Sequence, residues 1–139
     1  MDLNVARPAI TEFLMGFIAD FNNLDWPSFR ARFCDDATIF FPQQYRLGRA
    51  AGRRETDAAW SAVFESLRAA SGKSAPPFIH LQPQEVVIQK IAGAAIATFT
   101  LQSGTSGTVG RRSLVLAETA DGWRIAHLHG STASILTER

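Results

Sequence analysis

The hydrophobic period of this chain changes once and does not change back. Up to about Ala70, apolar residues recur mainly at helical spacing; from Phe78 onward they alternate, as on a half-buried strand. A first helix is expected from about Pro8 to Asn22, with Ile10, Phe13, Leu14, Phe17, Ile18 and Phe21 on one side and Pro8 in its first turn. Asp25 is placed as the N-cap of a short second helix with Pro27 in its first turn. A third helix, from about Glu55 to Ala70, presents Trp60, Val63, Phe64 and Leu67 on one face. Between the second and third helices, "ATIFF" (Ala37 to Phe41) reads as a strand ended by Pro42, and "QQYRLG" as a second, short strand. The remainder offers four strands, "FIHLQPQEVVIQKI", "AAIATFTLQS", "RRSLVLAET" and "WRIAHLHGST", with turns at Gly93, at Gly104 and Gly107, and at Gly122. Pro83 marks a bulge or an edge position in the first of them. The order α-α-β-β-α-β-β-β-β, helices early and a long antiparallel meander last, predicts an α+β domain with helices on one face of a curved sheet.

Bulk properties narrow the function classes. One domain spanning residues 1–139 is expected at this length. Fourteen basic residues against thirteen acidic ones give a net charge of +1, so no global field draws the chain to nucleic acid. Arg46, Arg49, Arg53 and Arg54 form the tightest basic cluster, too small for a nucleic-acid footprint. Cys34 is alone, which rules out an internal disulfide; it reads as a small buried hydrophobe, with a reactive thiol as the other reading. No apolar run is long enough for a membrane span and no leader pattern opens the chain, so no membrane partner and a cytoplasmic address are expected.

The element order, "FCDDATIFFP" after the second helix and "DGWRIAHLHGST" near the end resemble the nuclear transport factor 2-like, or SnoaL-like, superfamily of ketosteroid isomerase-like fold. The final strand is most similar to the association domain of calcium/calmodulin-dependent protein kinase II, where a Trp, an aliphatic residue, two alternating His and a Ser recur as Trp123, Ile125, His127, His129 and Ser131 do here. The resemblance implies a cone, a bent sheet wrapped around the three helices with a pocket between them, and a homodimer formed through the outer sheet face. It also implies a range of uses, from isomerases, cyclases and dehydratases to pure assembly domains, so fold alone assigns no reaction.

Taken position by position, the resemblance removes one reaction. The aspartate base of the ketosteroid isomerase branch falls on Phe41, its tyrosine on Phe17 and its partner acid near Leu114, all apolar here. Steroid-isomerase chemistry is therefore not expected, and the pocket floor should suit an apolar ligand. Two of the arginines that hold a carboxylate in the kinase association domain fall on Leu114 and Gly130, while Arg112 alternates onto the face of Leu114. Arg112 is thus either a rim group that pairs with an acid or a solvated edge residue.

Strict alternation puts Trp123, Ile125, His127, His129 and Ser131 on one strand face, and the resemblance turns that face toward the pocket. His129 and His127 are then the candidate acid/base residues, with Tyr45, Ser131 or an acid on the third helix to orient them. The competing reading is a pair of hydrogen-bonded structural histidines. Two imidazoles fall short of the usual three protein ligands and His80 is the only other histidine, so no metal and no cofactor are expected. Tyr45 and Trp60 complete the candidate ligand-binding set of Phe17, Phe41, Arg112, Leu114 and Ser131, against core packing as the alternative. The expected function is recognition of a small apolar or weakly acidic molecule, with acid/base catalysis as its enzyme version. A non-catalytic assembly domain with a cone filled by its own side chains is the alternative.

Overall fold

The computed structural model describes residues 3–102 and 107–134. The turn expected at Gly104 lies outside the described residues. The element order is the expected one: α1 (Leu3–Asn22), α2 (Trp26–Arg30), β1 (Phe33–Phe40), β2 (Ala50–Ala51), α3 (Gly52–Ser71), β3 (Pro83–Ile91), β4 (Ala94–Gln102), β5 (Thr108–Thr119) and β6 (Gly122–Ser134). Three helices and a six-stranded mixed sheet, ordered β2-β1-β6-β5-β4-β3, make an α+β cone. β1 runs parallel to β6, and the other neighbours are antiparallel.

Each helix is held by its apolar stripe and its ends. In α1, which begins before Pro8, Ile10, Leu14, Phe17 and Ile18 are buried at the spacing of one helical face. Asp25 caps α2 as expected, its carboxylate accepting from the Ser28 amide at 3.4 Å. In α3 the Glu55 carboxylate accepts the Ala51 amide at 2.9 Å, and Gly72 ends the helix at a φ of 67° that disfavours a side chain. Phe29 of α2 is fully buried at the junction of the three helices, with Phe17, Trp60 and Phe64 rings centred 5.1, 4.8 and 4.9 Å from its own.

Two expectations are corrected. Residues 43–48 are not a strand: the Tyr45 and Arg46 amides both donate to the Pro42 carbonyl, which coils the chain into a turn, and β2 forms later at Ala50–Ala51. The first meander strand begins at Pro83 rather than Phe78, because residues 78–81 are tied to α1 instead. There the Asn22 carbonyl accepts the Phe78 and Ile79 amides, while the Asn22 side chain donates to the Leu81 carbonyl and accepts its amide at 2.9 and 3.0 Å. One side chain thus satisfies both backbone groups of Leu81 and ties this segment to the end of α1. Pro83 stands on an edge strand beside a register break between Gln84 and Val87, the position expected for it.

The sheet's inner face is set by Ile39 of β1, Ala97 and Phe99 of β4, Leu114 and Leu116 of β5, and Leu128 of β6. β6 changes face partway along. Ile125 pairs with Leu116, but His127 pairs with Val115, so Ala126 is an extra residue in the ladder. Before this bulge the odd-numbered residues Trp123 and Ile125 are buried; after it the even-numbered Leu128 and Gly130 are. Among the described residues no helix is long and apolar enough to cross a membrane.

Candidate functional site

Between the helices and the inner sheet face lies a cavity of about 310 Å³. Phe17 and Phe21 of α1, and Trp60, Val63 and Leu67 of α3, form one wall, each following from the helical spacing of the last. Phe99 and Leu101 of β4 with Leu128 of β6 form the opposite wall, and Phe41, Pro42 and Tyr45 stand where the chain leaves β1. Ile79 and Leu81, fixed by Asn22, complete the lining.

The charged group in this lining is Arg112. Its strand position opposite Phe99 and Gly130 aims it inward, and its Nη1 donates to the backbone carbonyls of Arg111 and Ser131 at 3.0 and 3.2 Å. Among the described residues no carboxylate lies within ion-pairing distance, and Nε and Nη2 have no hydrogen-bond partner. Burial pushes the guanidinium down from its usual value, with the Tyr45 phenol opposing the shift, yet arginine stays charged at neutral pH. Other arginines are already paired: Arg30 with Asp57 at 2.8 Å, Arg32 with Asp20 at 2.7 Å and Arg53 with Asp35 at 2.9 Å. An unpaired cation facing apolar walls is costly to keep.

Tyr45 is half-exposed at the mouth and shares Phe41 and Val63 with a second, outer depression that adds Gln44 and Arg46. Trp60 lines the cavity; its ring packs among those of Phe29, Phe33 and Phe41, and its buried Nε1 has no hydrogen-bond partner among the described residues.

Of the residues expected at the site, Phe17, Phe41, Tyr45, Trp60 and Arg112 line the cavity. Leu114 faces inward but is fully covered and forms part of the core behind Leu128. His127, His129 and Ser131 are corrected to the outer face, because the bulge at Ala126 turns them away from the helices. There His127 Nδ1 shares a 2.7 Å hydrogen bond with the Thr38 hydroxyl, and both imidazoles pack on Phe40, at 6.0 and 5.4 Å between ring centres. Ser131 accepts from Arg111 Nε at 3.2 Å on the same face. Phe21, Leu67, Phe99, Leu101 and Leu128 were not anticipated as lining residues, although Phe99 and Leu101 alternate with the buried Ala97 and could have been found from that.

Burial, the neighbouring His129 and Arg49 push the His127 imidazole below its ordinary value of 6.5, and an interaction with the Thr38 backbone opposes them. An unfolded chain would take up that proton near 6.5 while the folded chain resists it, so folding stability falls as pH drops below 6.5 toward the depressed folded value. Urea denaturation across this window should show the loss, and His127→Gln, which keeps a partner for Thr38 without titrating, should flatten it. An unchanged slope in that variant would place the pH dependence elsewhere.

The three helices and the strand order among the described residues define a fold shared with nuclear transport factor 2-like structures. A candidate dehydratase of that family from Streptomyces avermitilis superposes with a TM-score of 0.77 at 15% identity, covering 95% of this chain and 99% of that one. A nuclear transport factor 2-like protein of unknown function from Pseudomonas putida gives 0.75 at 15% identity, covering 92% and 87%. A candidate ketosteroid isomerase from Parabacteroides distasonis gives 0.66 at 19% identity, covering 89% and 85%. At these identities the likeness is one of fold. A search of curated proteins returned no match. The model of the SnoaL-like domain matches residues 10–135, and the chain belongs to the SnoaL-like domain family.

Proposed function

We propose that the cone binds a small, largely apolar molecule through an acidic group held by Arg112. The observation that carries this reading is a guanidinium with no carboxylate partner among the described residues, in a cavity otherwise walled by aromatic and aliphatic side chains. A carboxylate or similar acid on the ligand supplies a countercharge that none of the described residues provides, and the apolar walls take the rest of the molecule. If the site is also an enzyme, Tyr45 is the lining residue able to exchange a proton and Arg112 holds the oxygen on which charge develops. Titration calorimetry with naphthoate and with neutral naphthamide tests the binding reading. Preference for the acid supports it, while equal affinity, or no binding of either, rules it out.

The outer sheet face supports homodimerisation as part of the same reading. Phe40, Val87 and Ile91 are exposed there, and Ile96 and Val115, paired across β4 and β5, are half-buried on the same face. Exposed apolar side chains on a sheet face favour a partner. Sedimentation velocity should show a dimer that dissociates in Val87→Glu; a monomer in the unaltered protein would count against it.

A further inference from the structure

Two glycines lie against the Arg112 guanidinium, and neither needs to be glycine for its backbone. Gly110 and Gly130 sit inside strands and are absent from the positive-φ positions among the described residues. Glycine inside a strand weakens it and marks close approach of another group. Here the group is identifiable. A Cβ on Gly130 would stand 3.0 Å from Pro42 Cδ, 3.2 Å from Arg112 Nη1 and 3.3 Å from Arg112 Cζ. A Cβ on Gly110 would meet the same Nη1 at 3.2 Å, with the Leu101 carbonyl at 3.5 Å behind it. The guanidinium therefore lies flat in a slot cut by the missing side chains of two neighbouring strands. Its Nη1 is anchored at the back of the slot by the Arg111 and Ser131 carbonyls.

We infer that Gly130 is a positioning residue that fixes which edge of Arg112 meets the ligand. With Nη1 committed to the chain, Nε and Nη2, which have no partner among the described residues, present two parallel N–H donors in one plane. That edge matches the two coplanar oxygens of a carboxylate, which it can bind through paired hydrogen bonds, and it matches a single carbonyl or hydroxyl oxygen poorly. The inference rests on the acid-binding reading and deepens it: the slot selects a planar two-oxygen acid on an apolar body. Pro42 stops Gly130 from being filled at the expense of the loop alone, because its ring closes the slot from the side of β1.

Gly130→Ala tests this in two independent ways. In a crystal structure of the variant, the guanidinium should be displaced by at least a few tenths of an ångström, lengthening its hydrogen bonds to the Arg111 and Ser131 carbonyls; an unmoved side chain overturns the inference without reference to any ligand. In calorimetry, naphthoate affinity should fall about tenfold while naphthamide affinity changes less than about twofold. Equal losses for both probes would mean general damage to the cavity and would also overturn it. In an Arg112→Met background the alanine should have no effect on the acid-to-amide ratio, since the positioned group is gone. Should Gly130→Ala fail to fold, Gly110→Ala presses the same nitrogen from the other strand and should lower the ratio by a few-fold; an unchanged ratio there counts against the slot. Absence of acid preference in the unaltered protein would instead defeat the parent reading, which separates the two failures.

Discussion

Replacing Arg112 by methionine should cost the protein its preference for acids and leave its fold at least as stable. Methionine keeps an unbranched apolar stem across the same wall but removes the charge and all donors. Loss of a desolvated charge-assisted contact is worth about 2 kcal/mol or more, so naphthoate affinity should drop at least ~30-fold. Naphthamide, which depends on the walls, should be little affected. Stability separates this account from a structural one. An arginine serving the fold would be paired, and its removal would lower the melting temperature. Here the guanidinium has no carboxylate among the described residues, and only Nη1 is bonded, to two carbonyls. Removing an under-satisfied charge from apolar surroundings is neutral or stabilising. A melting temperature unchanged or raised, together with lost acid preference, is the expected pair of results; a clear drop would assign Arg112 to the fold.

Much of this arrangement is legible in the sequence, and its main misreading has one cause. The helical stripes of α1 and α3 locate Phe17 and Trp60, and Pro42 ends the strand that delivers Phe41. Arg112 follows from alternation along β5, which has no irregularity between Val109 and Val115. β6 is different. "WRIAHLHG" invites a single alternating pattern that groups His127 and His129 with Ile125, and the bulge at Ala126 breaks it with neither glycine nor proline to mark the site. The clue is the distance between Ile125 and Leu128, both buried although three apart, a spacing a regular strand cannot place on one face. The wrong face for the histidines led to a catalytic reading for residues that pack on Phe40 and Thr38 outside the cone. Gly130 carried a signal too, since a glycine within an otherwise bulky strand points to close approach, but only the fold shows that Arg112 is the group approaching.

The second large effect concerns the support of the cavity rather than its lining. Phe29 does not touch the open volume; it is fully buried behind Phe17 and Trp60, two residues that do. Its ring also packs on Phe33 at 5.3 Å and Phe64 at 4.9 Å, so α1, β1 and α3 all meet on this one side chain of a five-residue helix. A helix that short has little stability of its own, and Phe29 is the buried residue in it. Phe29→Ala should therefore cost about 3–5 kcal/mol, combining lost burial with a cavity that rigid neighbouring rings fill poorly. That is a large part of the 5–15 kcal/mol typical of a whole domain, so urea denaturation should show a clearly lowered midpoint. Phe29→Leu, which retains most of the volume, should cost roughly 1 kcal/mol. Binding supplies the second readout. With Phe29 gone, Phe17 and Trp60 lose the surface they rest on and can relax backward, so naphthoate and naphthamide should weaken together, their ratio unchanged because Arg112 stays in its slot. A loss below about 1 kcal/mol for the alanine variant would mean that the aromatic cluster repacks without Phe29 and that the cavity walls are held by the sheet and α3 alone.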